Sequence, residues 1–116
     1  MMPCLVLHWF MRTRLMQDLL SQEGVKWVAL VGPDALPIDV IPSSEDVESA
    51  VAMWSGLDSL LEDVPARMLI RTSDALMLAH RVDENRLLLI QSRSSANVGA
   101  LRRMLEDAAG RIVDLA

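Results

Sequence analysis

Between two prolines, Pro42 and Pro65, the chain carries a helix-forming segment with more apolar surface than one neighbouring layer can cover. Placed at about 100° per residue, Val47, Ala50, Val51, Met53, Trp54, Leu57, Leu60, Leu61 and Val64 fall within an arc of about 180°. A helix laid on one face of a sheet needs little more than about 100°. A third element of the same domain or a second copy of the chain must take the surplus. Trp54 lies beside small Ala50, a pairing that suits helix-on-helix packing. Ser43 and Ser44 can cap the helix start, and Glu45 and Asp46 suit the positive end of its dipole.

The flanking segments read as strands and two more helices. Residues 12–23 place Leu15, Met16, Leu19 and Leu20 on one helical face, and Gly24 follows as a stop. VKWVALV (25–31) and LPIDVI (36–41) read as a hairpin through Gly32-Pro33-Asp34, with Pro37 confining the second strand to a sheet edge. ARMLIRTS (66–73), ALMLAHRV (75–82) and RLLLIQSR (86–93) follow, with turns too short for anything but antiparallel neighbours. A last helix begins at Asn97, with Val98, Leu101, Leu105, Ala108, Ile112 and Leu115 as its apolar stripe. Residues 25–31 and 87–90 are apolar at nearly every position, which predicts burial on both faces and places in the middle of the sheet. The expected fold is α+β: one five-stranded antiparallel sheet between helices, in the order α-β-β-α-β-β-β-α.

At 116 residues the chain is a single domain, expected over 12–116. Residues 1–11 form an apolar N-terminal arm, read as strand-like or coil and packing on something. Met11 offers a second translation start that would leave the arm out. The arm is too short to span a membrane, and its arginines follow the apolar run, unlike a signal peptide. With 52% hydrophobic and 23% charged residues, disorder is excluded. A net charge of -5, with Lys26 the only lysine, disfavours nucleic acid and anionic membrane as partners. The single cysteine, Cys4, reads as a free thiol in a reducing cytoplasm.

Catalytic and cofactor motifs are missing. There is no His-Glu-x-x-His, Cys-x-x-Cys, Gly-x-Ser-x-Gly or phosphate-cradling Gly-rich loop, so the expectation is no enzyme, no metal and no cofactor. Glu45, Asp46, Glu48, Asp58, Glu62 and Asp63 give residues 43–64 a charge of -6, read as a solvated helix face. Residues 65–116 carry eight arginines against six acids. That asymmetry suits a charge-complementary interface better than a reaction centre.

The order and spacing resemble the roadblock / dynein light chain family over roughly residues 12–116. The likeness rests on a helix ending at Gly24-Val25, the Ser43–Val64 helix, and the closing NVGALRRML (97–105) with Gly99 early in the last helix. One difference is the hairpin tip, Gly32-Pro33-Asp34-Ala35, where the family often has Asp-Gly. The resemblance implies a roadblock/profilin-like fold, with the first and last helices on one sheet face and the central helix on the other. It also implies a homodimer formed through the central helix and the strand after it, and an adaptor that accompanies small Ras-like GTPases. The surface expected to pair is then Ala50, Met53, Trp54, Leu57, Leu60 and Leu61 on the helix. Arg67, Met68, Ile70 and Arg71 extend it onto the strand. No arginine stands out as a hydrolysis finger, although Arg81, Arg86 and Arg93 are available. The competing reading is a small-molecule sensor on a similar sheet, with Trp27, His80 and Gln91 as its pocket groups.

Overall fold

The computed structural model describes residues 4–32, 37–42, 46–47, 49–51, 67–84 and 86–114. Their elements are α1 (Cys4–Leu20), β1 (Val25–Val31), β2 (Pro37–Ile41), β3 (Arg67–Arg71), β4 (Ala75–Asp83), β5 (Arg86–Arg93) and α2 (Val98–Asp114). Residues 46–47 and 49–51 of the central segment are helical. The hairpin tip at 33–36 and the rest of the expected central helix lie outside the described residues.

The strands form one antiparallel sheet in the order β2-β1-β5-β4-β3. β5 and β1 hold inner positions. Val28, Ala29, Leu30, Leu88, Leu89 and Ile90 are at most 1% exposed, so consecutive residues are buried on opposite faces. β2 is an edge, as Pro37 requires, since proline has no N–H to give to a second neighbour.

Helices α1 and α2 cover one face. Met16 and Leu19 of α1 and Leu101, Leu105, Ala108, Ala109 and Ile112 of α2 pack there with Val28, Leu30, Leu78, Leu88 and Ile90. The other face gathers Trp27, Ala29, Val31, Ala79, Leu87 and Leu89 under Val51, with Val47 and Ala50 packed alongside. The central segment therefore sits opposite the two terminal helices. Each large aliphatic side chain buried in these layers contributes about 1.5–3 kcal/mol.

Short-range chemistry sets the connections. Gly24 has φ +87, the left-handed conformation that glycine adopts without a side-chain clash, and its carbonyl accepts from the Arg93 N–H at 2.9 Å. Asn97 caps α2, its Oδ1 accepting from the Ala100 N–H at 3.1 Å. Between β4 and β5, the Arg86 guanidinium donates twice to Asp83 Oδ2, at 2.8 and 2.9 Å.

One expectation is corrected. The N-terminal arm is neither strand-like nor coil from Cys4 onward, because α1 begins there and runs unbroken to Leu20. The apolar run has no two-residue alternation to favour a strand. Extending a helix already docked at Met16 and Leu19 adds one hydrogen bond for each further residue fixed. The Thr13 hydroxyl donating to the Trp9 carbonyl at 2.9 Å follows the same helical step of four.

Candidate interaction surface

The two sheet edges differ. At the β2 end, the Arg12 guanidinium reaches from α1 to Asp39, with Nη2 at 2.7 Å and Nε at 2.9 Å from Oδ2. Both side chains are about one-fifth exposed, so this charge-assisted bond ties α1 over that edge. β3, at the other end, pairs among the described residues with β4 alone, from Arg67↔His80 to Arg71↔Leu76. An edge strand of this kind presents backbone N–H and C=O groups that another strand can pair with.

β3 also joins the apolar face beneath the central segment. Ile70 lies opposite Met77, and both are part-buried against the cluster of Ala79, Leu89 and Val51. Ala50 packs on the same cluster. Arg71, the last residue of the strand, is exposed. The structure thus brings Arg67, Met68, Ile70 and Arg71 onto one edge strand and sets Ala50 and Ile70 on one sheet face. Met53, Trp54, Leu57, Leu60 and Leu61 lie outside the described residues.

The groups named for a ligand pocket do not converge. The Trp27 indole Nε1 donates to Gln91 Oε1 at 2.9 Å, so these two satisfy each other on the central-segment face. His80 stands opposite Leu88 in register, and alternation from Ala79 sends it to the other face. Arg86 pairs with Asp83 at 2.8 Å and Arg93 with Glu23 at 2.7 Å, and Arg81 is engaged as well. Among the described residues, no group of three or more His, Cys, Asp or Glu could hold a metal ion. No described helix is long and apolar enough to cross a membrane.

A second surface lies at the end of the apolar arm, which the sequence reading expects to pack on something. Trp9, Phe10 and Met11 are 49%, 55% and 43% exposed on the first half of α1. The signal available is an aromatic pair lying upstream of the amphipathic stripe at Leu15–Leu20.

No family model matches the chain, and no curated protein matches it in sequence. Solved structures do match. A roadblock/LC7 domain from Streptomyces avermitilis is 16% identical, with TM-score 0.75 over 85% of this chain and 92% of that one. The gliding protein MglB from Thermus thermophilus is 12% identical, with TM-score 0.77 over 94% of this chain and 90% of that one. An MglB in a tetrameric arrangement gives 12% identity and TM-score 0.76 over the same shares, 94% and 90%. The resemblance seen in the sequence is met at the level of fold: the chain has the fold of the roadblock/LC7 domain. Identities this low carry the fold and leave function to be argued from the surface.

Proposed function

We propose that this chain is a non-enzymatic cytoplasmic adaptor that works as a homodimer and scaffolds or regulates a small Ras-like GTPase. The dimer would form through the central helix and β3, using Ala50, Met53, Trp54, Leu57, Leu60 and Leu61 with Arg67, Met68, Ile70 and Arg71. The observation that carries this reading is the edge of β3 that no described strand covers, set beside an apolar face that already holds Ile70, Met77 and Val51. Pairing two β3 edges would join two sheets into one and satisfy their backbone groups. The same association would cover the surplus apolar arc of the central helix. The MglB of similar fold in a tetrameric arrangement supports self-association. The GTPase part rests on the likeness to the roadblock family.

Light scattering tests the dimer. The expected mass is that of at least two chains at micromolar concentration, and Trp54→Asp should lower it by burying an unpaired charge at the contact. An unaltered mass in that variant would exclude Trp54 from any interface. Affinity capture from native lysate, with GTP-analogue or GDP present, should recover a protein identified as a small GTPase in one nucleotide state. Recovery of none in either state would remove the GTPase assignment.

A further inference from the structure

The first two turns of α1 hold no charged residue on any side. Residues 4–11 are helical and read CLVLHWFM, with no Asp, Glu, Lys or Arg among them. Trp9, Phe10 and Met11 are each more than two-fifths exposed. Three successive residues span about 200° of a helix, so at this level more than half of the circumference is apolar surface that water reaches. Docking of α1 on the sheet does not use it. Among the described residues, α1 enters the core through Leu15, Met16, Leu19 and Leu20, and the Arg12 guanidinium ties it to Asp39 at 2.7 Å. Large apolar side chains clustered in water mark a contact surface.

The shape and chemistry of this tip choose its partner. A protein layer laid against a helix covers a stripe of little more than about 100°. A lipid interface closes around whatever enters it and so covers all three side chains at once. The residues along α1 also follow the layers of a bilayer surface. An uncharged apolar run ends in Trp9, Phe10 and Met11, Arg12 and Arg14 come next, and the first acid is Asp18. Acyl chains suit the apolar run, the boundary below the headgroups suits an indole, and lipid phosphates suit arginine. The charge behind the tip then selects the kind of lipid. Phe10, Met11, Arg14 and Asp18 line a groove between the helices with Arg111 and Asp114 of α2, and Asp107 pairs with Arg111 at 3.1 Å. Arg14 and Arg111 thus stand against Asp18, Asp107 and Asp114, while Arg12 is held by Asp39. No excess of positive charge is there to hold an anionic surface, in keeping with the net charge of -5. The hold is apolar and fits a zwitterionic one.

We propose that the first half of α1, with Trp9, Phe10 and Met11, is an anchor that dips into the headgroup–acyl boundary of a zwitterionic lipid bilayer without crossing it. Residues 4–11 make a rod of about 12 Å. That reaches the depth of about 5–10 Å at which interfacial helices rest. The whole of α1, at 17 residues, is too short and too charged beyond Met11 to span. α1 lies on the sheet face opposite the central segment, so the anchor is separate from the surface proposed for the dimer.

Flotation of the full chain with phosphatidylcholine vesicles tests this, with circular dichroism and the lipid-free mass as controls for folding and association. Wild type should float with the vesicles, equally in low and high salt and with no need of phosphatidylserine. Phe10 is exposed, so Phe10→Asp places no charge in the core. It should lower vesicle binding at least about tenfold, because it takes an aromatic ring out of lipid and puts a carboxylate there. Lipids brominated near the headgroup should quench indole emission in the wild type. Trp9→Phe, which keeps an apolar ring, should lose that quenching and still float. No flotation of the wild type, or equal flotation of Phe10→Asp, would overturn the inference. So would binding that requires phosphatidylserine and vanishes in salt, which would make the hold electrostatic. A lipid-free mass that falls in Phe10→Asp, with no protein recovered on vesicles, would assign the tip to a protein contact instead. Trp54→Asp separates this anchor from the proposed dimer: it should lower the mass and leave the variant floating. Flotation lost in Trp54→Asp and kept in Phe10→Asp would move the lipid contact to the central helix and reject the tip.

Discussion

The same substitution, glycine to alanine, should change stability in opposite directions at two places in this chain. At Gly24 the backbone has φ +87, and an added Cβ would lie 3.1 Å from both Cγ and Nε of Arg93. Holding an alanine in the left-handed region costs roughly 1–2 kcal/mol. Moving the Arg93 side chain aside disturbs its bond to Glu23, an exposed pair worth at most about 1 kcal/mol. The alanine also restricts the unfolded chain, which offsets about 0.4–1 kcal/mol. The net expectation for Gly24→Ala is a loss of about 1–2 kcal/mol. Gly110 lies inside α2, exposed, with nothing within 4 Å of an added Cβ. Gly110→Ala should therefore gain about 0.5–1 kcal/mol from helix propensity. The two variants should differ by about 1.5–3 kcal/mol, read as urea midpoints on either side of wild type. All samples are compared at one protein concentration, because association makes apparent stability depend on it. A Gly24→Ala variant as stable as wild type would refute the argument that this turn needs glycine.

Two further outcomes are expected. Gln91→Leu should cost about 1–3 kcal/mol in urea unfolding, because it leaves the buried Trp27 N–H without its acceptor; a second substitution, Trp27→Phe, should recover most of that loss. A double-mutant cycle on Arg12→Ala and Asp39→Ala should give a coupling of about 0.5–1.5 kcal/mol that shrinks in high salt, and a coupling of zero would show that the bond does not hold α1 to the β2 edge.

The surface proposed for dimerisation is half visible in the residues themselves. Alternating Arg67, Met68, Ile70 and Arg71 marks a strand with two unlike faces. The breadth of the 47–64 apolar arc asks for a cover that a single sheet face does not supply. The groove between α1 and α2 is not visible there, since Arg14 and Asp18 stand about a hundred residues from Arg111 and Asp114 and become neighbours only when both helices dock on one sheet face.

Local chemistry was enough to determine the elements and much of their order. Short, nearly continuous apolar runs set β1 and β5, a period of three to four set α2, Pro37 sent β2 to an edge, and Asn97 and Gly24 fixed a helix start and a turn. These are decided by neighbours in the chain, through sterics and backbone hydrogen bonding, so they are written in short stretches of residues. Tertiary structure alone decided the rest. It extended α1 back to Cys4, where an apolar run without period has no local preference between helix and strand. It set Trp27 against Gln91, 64 residues away, and Arg12 against Asp39, 27 residues away. Such pairings depend on which surfaces meet when the sheet is assembled, and burial, being non-directional, leaves no trace of that choice in local sequence.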